Sequence, residues 1–155
     1  MNTPETLSCG FICKDRYIRK LADGSIDVID GNQKSIISGH WYTDLLYLDG
    51  YFIVSQNGLK GICNINGKEL LPCIYENVFS LRNNHQRYFS IKKNGQYGLF
   101  DAVDGNVVVE CMSAKPITIN EFKHSGRYEA IVTIPRKIFG FVPWIPKLEH
   151  FKLKK

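Results

Sequence analysis

Apolar residues in this chain come in short runs, and Asn-Gly or Asp-Gly pairs break them at regular intervals. Tyr51-Phe52-Ile53-Val54 is aromatic and β-branched, as a half-buried strand requires. Asn57-Gly58 follows, a pair that tolerates positive φ at both positions and so predicts a tight hairpin turn. A second strand is expected from Lys60 through Gly61 to Ile65, then a turn at Asn66-Gly67. A third extended piece, Lys68 to Leu71, ends at Pro72, and Ile74 to Leu81 alternates as a further strand.

The same order returns thirty-seven residues later. Tyr88-Phe89 stands for Tyr51-Phe52, Asn94-Gly95 for Asn57-Gly58 and Gly98 for Gly61. A degenerate copy leads, with Tyr17 and Asp23-Gly24 placed thirty-four residues ahead of Tyr51 and Asn57-Gly58. The expected copies run over about 17–48, 51–81 and 88–119, with a partial copy at 128–145 and a basic tail at 146–155. The only window with even a weak helical period lies near Leu148 and Phe151. The prediction is a single all-β domain: a short array of antiparallel hairpins, as a curved meander, a solenoid-like stack or a partly closed barrel.

The pattern resembles the bacterial WG-repeat family, well over about 51–110 and loosely over 17–48. The residues that carry the resemblance are Tyr51, Asn57, Gly58, Gly61 and Tyr75 in one copy, and Tyr88, Asn94, Gly95, Tyr97 and Gly98 in the next. The chain departs from the family at its Trp position, which holds Lys60 and Tyr97, while Trp41 and Trp144 stand elsewhere. The resemblance implies repeat scaffolding and partner binding, and brings no catalytic residue and no cofactor with it.

Composition narrows the functional classes. At 155 residues with 44% hydrophobic and 23% charged residues, the chain reads as globular. Five cysteines (Cys9, Cys13, Cys63, Cys73 and Cys111) are an odd number without a CxxC pair, so a reducing compartment is expected. The N-terminal residues have neither the basic segment nor the apolar run of a signal peptide, and no stretch is apolar enough for a membrane span. Cytoplasmic location is the expectation.

Candidate chemistry is sparse. His40, His85, His124 and His150 show no metal-ligand spacing with one another or with the cysteines. No nucleophile elbow and no phosphate loop is present, and an enzyme assembled around Cys111 and a histidine ranks last. Asp101 and Asp104 flank a turn, where side-chain hydrogen bonds to the backbone are their expected use.

The net charge of +5 is concentrated at the C-terminus. There Arg136, Lys137, Phe139, Phe141, Trp144 and Lys147 interleave cations with rings and form the candidate partner-binding segment. A non-enzymatic protein-binding module is therefore the first expectation, with an immunity-type or anti-defence inhibitor as its narrower form. A nucleic-acid or anionic-surface binder acting through the basic aromatic segment ranks second.

Overall fold

The structure, a computed structural model, describes residues 5–39, 41–81, 87–122, 125, 127–134 and 147–154. Every regular element among them is a strand, and the residues group into two compact units, Met1–Ile74 and Tyr75–Lys155. Among the described residues no helix is long and apolar enough to cross a membrane.

The first unit holds two four-stranded antiparallel meanders. One is formed by β1 (Thr6–Cys13), β2 (Arg16–Leu21), β3 (Ile26–Ile29) and β4 (Ser35–Ile37), in that order. The other is formed by β5 (Asp44–Leu48), β6 (Tyr51–Gln56), β7 (Leu59–Asn64) and β8 (Glu69–Tyr75), which reaches the unit boundary. The second unit repeats this plan with β9 (Asn77–Ser80), β10 (Tyr88–Lys93), β11 (Gln96–Asp101) and β12 (Asn106–Ser113). It adds a three-stranded sheet of β13 (Thr118–Phe122), β14 (Arg127–Ile134) and β15 (Lys147–Leu153). Among the described residues all four sheets are open and none closes into a barrel, consistent with the expected meander array.

The predicted turns form as their residues dictate. Asn57 and Gly58 have φ of 53° and 77°, and Asn94 and Gly95 have 52° and 73°. This left-handed pair matches the twist of the flanking strands, and the hairpins close at Gln56 opposite Leu59 and Lys93 opposite Gln96. The next turn in each copy is held by the last side chain of the second strand. Asn64 Oδ1 accepts from the Asn66 and Lys68 N–H groups, both at 3.0 Å. Asp101 Oδ1 accepts from Val103 at 3.0 Å and Asp104 at 3.1 Å, as its position at a turn predicted.

Sheet pairing decides where a copy starts. β5 pairs with β6, and β9 pairs with β10. The strand placed by the sequence at the end of one copy therefore opens the sheet of the next. Two further strands, β1 and β13, carry no Asn-Gly signal and were not anticipated. Residues 147–153, read from sequence as part of a basic tail with a trace of helical period, instead form β15 paired along its length with β14.

Each unit has its own core. In the first, Val28, Ile37, Leu45, Phe52, Val54 and Cys63 pack together, with Ile18, Tyr42 and Cys73 against them. In the second, Tyr88, Leu99, Val109, Ile117, Ala130 and Val132 form the equivalent cluster. Phe52 and Phe89, the ring that follows the repeat tyrosine, are fully buried in both good copies.

Candidate functional site

The repeat-defining glycines are sites of backbone contact. A Cβ on Gly61 would collide with the Leu71 carbonyl oxygen and stand 2.9 Å from the Cys73 nitrogen. A Cβ on Gly98 would lie 2.6 Å from the Val109 carbonyl oxygen and 3.0 Å from the Cys111 nitrogen. In each copy the third strand thus crosses directly over the bare glycine, and β12 shifts register against β11 at this point.

The bare glycine also lets a thiol reach across the sheet. Cys73 Sγ lies 3.6 Å from the carbonyl oxygen of Val54, the residue opposite Gly61. Cys111 Sγ lies 3.8 Å from the carbonyl oxygen of Ile91, the residue opposite Gly98. The two cysteines hold one position of the repeat, which their spacing in the sequence disguises because the turn from Asp101 to Gly105 is one residue longer than that from Asn64 to Gly67. Burial pushes the Cys73 thiol up to about 11, with Glu69 adding to the effect. Burial also raises Cys111 and Cys63, whose Sγ lies 3.5 Å from the Tyr42 hydroxyl. Thiols held protonated in this way are poor nucleophiles.

At the family's Trp position, Tyr97 lies opposite Lys92, whose ammonium stands 5.3 Å from the ring centre. Lys60 lies opposite Ser55. The tyrosines differ in burial: Tyr75 and Tyr88 are buried, whereas Tyr51 and Tyr97 are half-buried.

The most charged constellation lies in the second unit. Arg87 donates to both oxygens of the buried Asp101 carboxylate, and its Nη2 stands 3.0 Å from Asp104. Lys154 reaches the same Asp104 at 2.7 Å, and the Tyr88 hydroxyl donates to the Lys154 carbonyl at 2.6 Å. The Lys154 ammonium, together with Arg87, holds the Asp104 carboxyl below its usual range. Tyr88, Asp101, Asp104 and Lys154, with Asn106, Val108, Lys152 and Leu153, line a cleft of about 140 Å³. Arg87 and Lys154 are paired with Asp101 and Asp104, which fastens the end of β15, while Lys152 adds a further cation to the cleft.

Of the segment singled out in the sequence, Arg136, Lys137, Phe139, Phe141 and Trp144 lie outside the described residues. Lys147 begins β15 opposite Ile134, with its ammonium 2.8 Å from Glu149. His150 Nδ1 is 3.2 Å from Glu129, and His40, His85 and His124 lie outside the described residues. Among the described residues no three His, Cys, Asp or Glu side chains gather as a metal site.

The exposed apolar residues were missed by the sequence reading. Trp41 is 68% exposed in the turn before β5, while the adjacent Tyr42 is tucked against the core. Leu7 and Phe11 on β1 and Leu46 on β5 are also exposed. One available signal was that Trp41 stands outside the repeat's own Trp position, so the fold places no demand on it.

These features define an array of open antiparallel hairpin sheets in which a glycine in the second strand admits the third. Residues 61–97 match the family model described as "WG containing repeat", which bears out the resemblance seen in the sequence. No curated protein matches the chain. Among solved structures, "Crystal structure of the computationally designed Ika4 protein" is 12% identical, with 99% of this chain and 94% of that chain covered and a TM-score of 0.37. A likeness at that level carries no argument about either fold or function.

Proposed function

We infer that this β-repeat module binds another protein and carries out no chemistry of its own. The observation that carries the reading is Trp41, the most exposed of the large apolar side chains described. Tryptophan is the residue type most often found as an energetic anchor in protein interfaces, and leaving one in water is unfavourable unless a partner covers it. Leu46, 57% exposed on the following strand of the same unit, adds apolar surface. The raised thiols and the internally neutralised Arg87–Asp101–Asp104–Lys154 cluster support the absence of catalysis, since neither offers an activated nucleophile or an unspent charge.

The narrower form of this reading is a partner-blocking inhibitor of the immunity or anti-defence type. The test is capture from lysate of the native cells with the full chain as bait, beside a Trp41→Ala bait. A protein retained in stoichiometric amount by the first and lost from the second supports the reading. Equal recovery on both baits, or none on either, counts against it. Stoichiometric loss of the captured protein's activity on adding the chain would then support the inhibitor form.

A second reading keeps the basic charge in view. Residues 75–155 hold 13 basic and 7 acidic side chains, whereas residues 1–74 hold 7 and 8. Single-stranded nucleic acid is the ligand such a half suits, with affinity that falls steeply with salt. Lys147 and Lys154 are already engaged by Glu149 and Asp104, which leaves this reading second.

A further inference from the structure

Strand β1 differs from the other sheet edges in carrying neither a charged residue nor a proline along eight residues. It ends the sheet β1-β2-β3-β4, so one row of its backbone groups faces outward with no strand beside it among the described residues. Sheet edges are ordinarily protected by charge, proline, shortness or bulges. The other edges follow that rule: β4 and β9 have three and four residues, β5 carries Asp44, β8 Glu69 and Pro72, β12 Glu110, β13 Glu121, and β15 Lys147, Glu149 and Lys152. β1 has eight residues, Thr-Leu-Ser-Cys-Gly-Phe-Ile-Cys, without a charge or a proline. Leu7 and Phe11 are 67% and 65% exposed, and Cys9 between them is exposed too.

We propose that β1 pairs antiparallel with β1 of a second copy of this chain, about a two-fold axis at Cys9, joining two sheets into one. Three features select a second copy. An uncharged strand can lie beside itself without like charges meeting. Pairing about Cys9 sets Leu7 of each chain opposite Phe11 of the other, so both exposed apolar residues are covered, and sets Ser8 opposite Gly10 where bulk would obstruct. Finally, Glu5 precedes the strand and Lys14 follows it, so the antiparallel arrangement brings Glu5 of one chain to the same end of the ribbon as Lys14 of the other. A parallel arrangement would bring Glu5 to Glu5 and Lys14 to Lys14. The exposed Asp15 carboxylate beside Lys14 is engaged within its own chain, its Oδ1 accepting from the Gly31 N–H at 2.8 Å and its Oδ2 3.8 Å from Arg16. Register shifts against β2 fall between Thr6 and Ser8, at Leu7, and between Phe11 and Cys13, so the run Ser8–Gly10 around the two-fold axis is regular.

The test is sedimentation equilibrium of the full chain under reducing conditions, up to about 0.5 mM, where an interaction of modest free energy is still visible. A dimer is expected. Phe11→Lys removes both Leu–Phe contacts at once, and dimerisation should weaken by about a hundredfold or more. A chain that remains monomeric throughout overturns the proposal, and so does a dimer indifferent to Phe11→Lys. Should that variant fail to fold, oxidation of the wild-type chain with copper phenanthroline decides the matter. A covalent dimer absent from Cys9→Ser supports the pairing, and no covalent dimer, or one that survives Cys9→Ser, overturns it. None of these outcomes depends on Trp41, so the partner-binding reading stands or falls separately.

Discussion

The Arg87 guanidinium lies along the Asp101 carboxylate, with Nε 2.9 Å from both oxygens and Nη2 2.6 Å from Oδ2. Only 3% of the Asp101 side chain and 17% of the Arg87 side chain reach solvent. Asp101 also accepts the two turn N–H groups of Val103 and Asp104, so one carboxylate closes a turn and neutralises a cation. Removing one partner of a buried pair leaves the other charge uncompensated. Asp101→Ala is therefore expected to cost about 3 kcal/mol or more of stability in urea denaturation. Asp104→Asn, at an exposed carboxylate, should cost far less. Comparable losses for the two variants would show that the Asp101 pair does not carry the weight assigned to it.

Gly61 and Gly98 should both refuse a methyl group. At each, the new Cβ would enter the backbone of the third strand rather than a movable side chain. Gly61→Ala and Gly98→Ala are each expected to lower stability by about 1–3 kcal/mol, the usual cost of overpacking, and more if the strand detaches. Thermal melts monitored by circular dichroism will check this. Gly10, with open space around its Cβ position within the chain and no positive φ, is the control at concentrations where the chain is monomeric, and there Gly10→Ala should leave the melt nearly unchanged.

Ser90 lies fully buried in β10, and its hydroxyl finds no partner among the described residues. The equivalent position of the preceding copy is Ile53, which is also buried. Burying an unpaired hydroxyl is costly, so Ser90→Ala should be neutral or stabilising by up to about 1 kcal/mol. A clear loss of stability in chemical denaturation would mean that the hydroxyl is held by a partner after all.

Alkaline pH should weaken the first unit through Cys73. Burial raises this thiol from 9.0 to about 11, so between those values the folded chain keeps a proton that the unfolded chain releases. The stability tied to it is complete below pH 9 and is lost as pH rises towards and through 11. Tyr42 and Cys63, also raised by burial, act in the same direction. Melting temperatures at pH 9 and pH 11 should fall further for the wild type than for Cys73→Ala. Parallel falls in the two proteins would remove Cys73 from the account.

Much of the architecture can be read directly from residue types. Asn57-Gly58 and Asn94-Gly95 predict turns because their φ tolerance is a property of the residues themselves. Tyr51 to Val54 and Tyr88 to Ile91 predict strands for an equally local reason, and the spacing between the copies predicts a repeat. β1 escaped this reading because Thr6–Cys13 has no turn pair and no clean alternation, and it becomes a strand by pairing with β2. β15 escaped it because its charges resemble those of a solvated tail until β14 supplies a partner along its whole length.

The candidate site was legible to a lesser degree. The sequence draws attention to rings and cations at 136–147, of which Lys147 lies among the described residues and is already paired with Glu149. It is silent on Trp41, because exposure belongs to the fold and not to the residue.

What the sequence by itself determined is the alphabet of the fold: strands, left-handed turns and a glycine required twice at one place, all consequences of steric limits within a few residues. What only the tertiary structure decided is which strand lies beside which. That pairing set the boundary of each sheet, brought Arg87 onto Asp101, laid Cys73 and Cys111 over equivalent glycines, and left β1 uncharged at an open edge. Backbone pairing joins residues far apart in the chain, and its energy depends on neighbours that no local pattern specifies.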